Sequence, residues 1–327
     1  MFAALLSACL LAVPTAGDDV SPQMQQDLQT LGWKLPIDAA ELLKRIRFQT
    51  LTAQERRDAE ANLDRLSSNV FRDREKAMRD LMYANPGVDP LLRARIADSH
   101  PEARRRLNQM LRVQRGRWSP EKAEATIRLV RELRPEGAAE ALLAFLPYAD
   151  DRWVALETVC TLRAFGVAKE RVTAQSQALP FAIDADGASS PSDSVRQIAR
   201  RFFANLAAED HDELRNLCAL PFLVGMLPLE SDAELDEVFA HGAAGYKADG
   251  KMLDVKFGAV TRVESVEPLL PENEANAVRR LASDTLRAVQ LRIRVDAQRE
   301  ETGYVLIDFR SDGPRVVGLL DATRPRP

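Results

Sequence analysis

The sequence predicts an α plus (α+β) fold: a short stack of paired helices, then an antiparallel sheet with helices of its own. Three observations carry this reading. Helix start and stop signals recur at close spacing from residue 38 to 166. After Gly250 the apolar period changes from 3.6 to two. The charge balance also changes sign, with 27 basic and 24 acidic residues over 18–172 against 18 and 25 over 173–327. A chain of 327 residues is long enough for two packed units. Its 46% hydrophobic and 29% charged content excludes a wholly disordered or collagen-like polymer. A net charge of −4 makes no demand for nucleic acid.

The N-terminus reads as an export signal over residues 1–17, followed by an N-terminal extension over 18–37. Residues 2–13 are apolar and uncharged, too short to span a membrane and the right length for a signal-peptide core. No Lys or Arg precedes them, as would be so if the true start lay upstream. Leu6-Ser7-Ala8-Cys9 resembles a bacterial lipobox, which makes Cys9 a lipidation candidate. So little signal precedes Cys9 that a plain apolar role in the signal core is favoured. Either reading sends the protein to the periplasm or cell envelope. No later stretch is apolar enough to cross a bilayer. Three cysteines are too few for a disulfide framework, and Cys160 and Cys218 sit on apolar helix faces as free thiols.

Capping boxes at Asp38-x-x-Glu41, Thr52-x-x-Glu55 and Ser99-x-x-Glu102, with Ser119-Pro120, open successive helices. The pattern predicts helices over 38–47, 53–67, 72–84, 88–97, 101–113, 119–133, 136–146 and 150–165. Each is short, with a narrow apolar stripe such as Ala123, Ile127 and Val130. Helices this short are marginal alone, so the stripes must be buried against neighbours, as in an α-solenoid.

Leu63-x-x-Leu66, Phe71-x-x-Arg74-Glu75-x-Ala77, Leu81, Pro90-Leu91-Leu92 and Pro101-Glu102-Ala103-Arg104 resemble HEAT-repeat-like segments of bacterial envelope proteins. The block from Ala138 to Asp151 is a second match. The resemblance covers 38–166 and implies an interaction scaffold. Tyr83-Ala84-Asn85-Pro86-Gly87 departs from the family's simpler turn. Residues 44–134 carry 22 Lys and Arg against 13 Asp and Glu. Arg104, Arg105 and Arg106 within them are candidates for contact with an anionic envelope component or an acidic protein. A solvated helix face accounts for such a charge run equally simply, and is favoured. Aromatic residues do not interleave the basic ones, which argues against nucleic acid.

Residues 167–193 lose the helical period and read as a linker, small and polar from Asp184 to Asp193. The charge shift across it permits weak electrostatic contact between the units. The unit at 194–327 opens with three capped helices. The first carries Val195, Ile198, Ala199, Phe202 and Leu206 on one stripe. Strands follow, with Leu253, Val255 and Phe257 alternating, then Val289, Leu291, Ile293 and Val295. Two apolar runs around Ser311-Asp312-Gly313 predict a hairpin. Residues 274–283 predict a short helical insertion.

Phe202-Phe203-Ala204-Asn205-Leu206 running to Asp210, the Ala219-Leu220-Pro221-Phe222 segment, and this element order resemble the NTF2-like (SnoaL-like, cystatin-like) superfamily. The resemblance implies a curved sheet, a cone-shaped pocket, and ligand binding or homodimerisation. Phe222, Tyr246, Phe257, Tyr304 and His241 are the pocket candidates. The alternative is a small-molecule isomerase or dehydratase, with His241, Asp254, Tyr246, Asp308 and Tyr304 as its ionisable groups. No Asp–His or Tyr–Asp pairing follows from spacing, so no catalytic residue is assigned and a non-enzymatic protein is favoured. No phosphate loop, zinc motif or cofactor fingerprint is present in the sequence, and no metal or cofactor is expected.

Overall fold

Ser21 opens the described chain by capping Met24 N–H, and Pro22 takes the first helical position of α1 (Pro22–Leu31), which Gly32 ends in the left-handed region. The structure, a computed structural model, describes residues 20–97, 99–183, 190–245, 247–248, 251–252, 254–281, 283, 285–294, 300–310 and 313–321. The expected signal segment with Cys9, Tyr246, and most of the polar stretch 184–193 lie outside them.

The helices form two cores. The first is built by α1, α2 (Ala39–Phe48), α7 (Pro120–Leu133), α8 (Ala138–Phe145), α9 (Arg152–Ala164) and α10 (Lys169–Ser176). Leu42, Ile46, Ile127, Leu142 and Val159 fill it. The second is a lobe of α3 (Ala53–Arg65), α4 (Phe71–Met82), α5 (Asp89–Ala97) and α6 (Pro101–Arg117) around Ala77, Leu81, Leu92, Leu107 and Met110. Tyr148 packs against both cores and donates to the Leu51 carbonyl at 3.2 Å. Gly87 lets the lobe close up, because a Cβ there would lie 2.6 Å from the Gln49 carbonyl oxygen.

Two helices of this part lie where the sequence pattern gives none. α1 occupies the presumed extension, and Leu28 and Leu31 bury into the first core. α10 occupies the presumed linker, and Val172 and Leu179 enter the same core. Both are short and polar on most of their surface. One or two apolar anchors hold each, too few to register as a period.

The C-terminal part carries a curved six-stranded sheet in the order β2-β1-β8-β7-β6-β5. The strands are β1 (Cys218–Val224), β2 (Leu227–Leu229), β5 (Asp254–Arg262), β6 (Leu286–Arg294), β7 (Glu300–Arg310) and β8 (Gly313–Asp321). A small ribbon, β3 (Lys247–Ala248) with β4 (Lys251–Met252), stands apart. The sheet is mixed rather than antiparallel, because β1 pairs β8 in parallel. After β2 the chain crosses through α13 (Asp232–Gly245) to the far edge, and the β5–β8 meander returns to lie beside β1. The sequence reading missed β1 and β2, which are short and contain Pro221 and Pro228.

α11 (Pro191–Ala208), α12 (His211–Leu217) and α13 cover one face of the sheet. α14 (Val263–Val266) and α15 (Glu272–Leu281) cover the other. Along β6 the parity divides the two cores: Val289, Leu291 and Ile293 face α11, while Leu286 and Ala288 face α15.

Candidate functional site

Of the four described residues expected to line a pocket, Phe222 and Phe257 share the core under α11, while Tyr304 and His241 lie away from it. Phe222 is fully buried, 6.4 Å from Phe202 in a stack and edge-on to Phe239 at 6.1 Å. Phe257 meets Phe203 at 5.8 Å, with the Arg200 guanidinium 5.9 Å from its ring. Tyr304 is on the opposite face of the sheet, where burial pushes its hydroxyl pKa up. His241 is exposed on α13, its Nδ1 2.8 Å from the Glu237 carbonyl. Of the expected ionisable groups, Asp254 is exposed, and Asp308 accepts hydrogen bonds from Ser283, Thr285 and Arg310. The space under α11 is therefore a phenylalanine core with Leu291 and Ile307.

The densest chemistry lies elsewhere, in the seam between the helices and the sheet. Trp153 on α9 belongs to the core under α11, where Phe309 meets it edge-on at 5.5 Å and the Arg287 guanidinium covers it at 4.0 Å. Around this plug lies a buried charge cluster. Arg128 on α7 grips Asp27 on α1 through Nη2–Oδ1 at 2.7 Å and Nε–Oδ2 at 3.0 Å. Glu124, one turn earlier, accepts from Arg262 of β5 at 2.6 Å and from Arg287 of β6 at 3.4 Å. Asp151, the N-cap of α9, accepts from Arg262 at 2.9 Å. Glu157 is wholly buried and accepts from Ser190 Oγ and Ser192 Oγ at the start of α11, with Arg131 Nη1 at 3.5 Å.

Burial sets the protonation energetics here. Desolvation raises the Asp27 pKa against the pull of Arg128. Burial opposes the charge on Arg128 and Arg262, yet the carboxylates beside them hold both above the ordinary arginine value. Arg287 is lowered, chiefly by burial, with Glu124 opposing and Arg262 adding repulsion. The contact between the two parts is thus a desolvated network, where the charge shift alone suggested only weak attraction.

Gln23 completes the seam at the sheet edge. Its Oε1 accepts from Val260 N–H at 2.9 Å, and its Nε2 donates to Val260 carbonyl at 3.4 Å. One side-chain amide thereby occupies the open edge of β5 as another strand would. Sequence reading took Trp153 as a residue that locks packing, but missed the charged residues and Gln23 of this seam. The signal was present in Arg287, which shares the apolar parity of Val289 and Leu291, and in Glu157, set within Val154-Ala155-Leu156 and Thr158-Val159-Cys160.

Two clefts flank the seam. One of about 680 Å³ is lined by Arg128, Arg131, Arg196 and Arg200. The first three are matched by Asp27, Glu157 and Asp193, so most of its positive charge is compensated internally. The other, of about 480 Å³, is bounded by Glu121, Asp151, Arg262 and Phe309.

The lobe carries the outward-facing basic surface. Arg72, Lys76, Arg79 and Tyr83 follow at i, i+4, i+7 and i+11, on the side of α4 away from buried Ala77 and Leu81. Aromatic residues bracket the charges, Phe71 being 64% and Tyr83 72% exposed. The expected trio on α6 divides. Arg104 and Arg105 are exposed, while Arg106 turns inward to Glu102 at 2.9 Å and Glu75 at 3.6 Å. Among the described residues, no three His, Cys, Asp or Glu side chains are grouped to hold a metal ion, and no helix is long and apolar enough to cross a membrane. No family model, curated protein or solved structure matches this chain.

Proposed function

We propose that the chain is a non-enzymatic interaction scaffold of the cell envelope, exported by its N-terminal apolar segment. HEAT-like helices offer a binding face to an acidic protein partner, and an NTF2-like unit buttresses them. The observation that carries this reading is the stripe on α4, three exposed cations ending at exposed Tyr83 on the side away from the core, with exposed Phe71 at the helix start. Exposed aromatic and cationic side chains on one helix are the composition of a recognition surface, and the isolated solvated face needs no Phe or Tyr. Two further features support it. The C-terminal element order, two helices, a strand pair, a crossing helix and a returning meander, supports the NTF2-like reading. Its interior is occupied by Phe202, Phe222 and Phe239, which favours a structural over a catalytic role.

The test is covalent crosslinking in envelope fractions with wild-type protein and with R72E/K76E/R79E. All three side chains are exposed, so folding is preserved, and adducts that disappear in the variant identify the partner. An identical adduct pattern from both proteins would sink the proposal.

A further inference from the structure

Where the two helical cores meet, a cleft of about 450 Å³ lies open between the C-terminal end of α2, Pro86 and the α6–α7 turn. Its floor is apolar, from Leu31, Phe48, Pro86 and Trp118. Phe48 remains 58% exposed there, a large apolar side chain at a concave place with nothing packed over it. Its rim is cationic, with Lys44, Arg45 and Lys122 against the single acid Glu41. Glu41 is shared by Lys44 at 3.5 Å and Arg45 at 3.9 Å, and Arg45 also covers the Trp33 ring at 4.3 Å. Lys122 has no carboxylate partner among the described residues. Gln49, only 5% exposed, also lines the cleft.

An apolar floor and an uncompensated cation at its rim converge on one ligand chemistry. We propose that this cleft binds a single-chain anionic amphiphile with a carboxylate head. The tail covers Phe48 and Trp118, and Lys122 neutralises the head. The volume suits one alkyl chain and not two. A neutral head leaves Lys122 unmatched, and a cationic head is repelled. This site is separate from the α4 stripe and does not depend on the scaffold reading.

Titration of the full chain with laurate below its micelle concentration, followed by calorimetry and tryptophan fluorescence, tests this. Saturable one-to-one binding is expected, with dodecanol and dodecyltrimethylammonium each weaker by about tenfold or more and acetate not binding. Lys122→Glu should weaken laurate by about tenfold and leave dodecanol unchanged. Phe48→Ala, at an exposed position that does not threaten folding, should weaken both. Equal affinity for laurate and dodecanol, a Lys122→Glu variant that binds laurate normally, or no saturable binding overturns the assignment.

Discussion

Glu157 Oε1 accepts a hydrogen bond from Ser192 Oγ at 2.5 Å, joining α9 of the helical part to the first turn of α11. The same carboxylate takes Ser190 Oγ and Ser192 N–H, so it lies where the helix N-terminus is most positive. Glu157→Ala removes the buried acid beside Arg131, leaving it only the more exposed Asp193 among the described residues, and orphans the α11 start. A loss of about 3 kcal/mol in urea unfolding is expected, with helices and sheet still melting together. A loss below about 1 kcal/mol would mean that the seam is not held there.

Trp153 fills the core beneath α11 from the helical side, with Arg287 over its face. Trp153→Ala should cost about 3–5 kcal/mol by cavity formation, and Trp153→Phe clearly less, since most of the apolar volume returns. Thermal melts of the pair measure this. Equal destabilisation by both would shift the weight from packing to the contact with Arg287.

Gln23 binds both backbone groups of Val260. Gln23→Ala should cost about 1–2 kcal/mol and leave the β5 edge open. Hydrogen exchange of the Val260 amide would accelerate while the central strand β7 stays protected. Unchanged exchange at Val260 would argue that the edge is covered in some other way.

The legible parts of the fold were those with several apolar residues per element. The eight helices between 38 and 166 have stripes that repeat, and the structure differs from the pattern only by a few residues at their ends. Asp38 and Thr52 cap as their spacing predicts, whereas Ser119 makes no side-chain cap bond and Ser99 donates to the Arg95 carbonyl instead. α1 and α10 escaped because Leu28, Leu31 and Val172 are isolated anchors whose meaning is set by a distant surface. β1 escaped because its parallel partner β8 lies about a hundred residues on, and local alternation cannot report such a pairing. The charge cluster was illegible as a cluster. Asp27, Glu124, Glu157, Arg262 and Arg287 come from five elements, and charge counts along the chain treat them as surface. Local spacing did find the arginine trio on α6, but could not tell that Arg106 turns inward while Arg105 does not.

The two buried thiols of the described residues give a pH test whose sign is fixed. Burial pushes Cys160 up to about 12, and the Glu157 charge adds to the effect, while burial also raises Cys218. In the unfolded chain both titrate near the ordinary cysteine value. The folded state therefore holds its protons more tightly than the unfolded state. The stability this confers is complete below about pH 8.5, and is lost as pH rises toward the folded value. At pH 8 iodoacetamide should leave both cysteines unmodified in native protein and label both within minutes in urea. Between pH 9 and 11 the unfolding midpoint should fall, and replacing both cysteines with Ala should flatten that limb of the curve. Fast native labelling of Cys160 at pH 8 would mean that the seam opens on the labelling timescale, and that the buried network around Glu157 is not continuously closed.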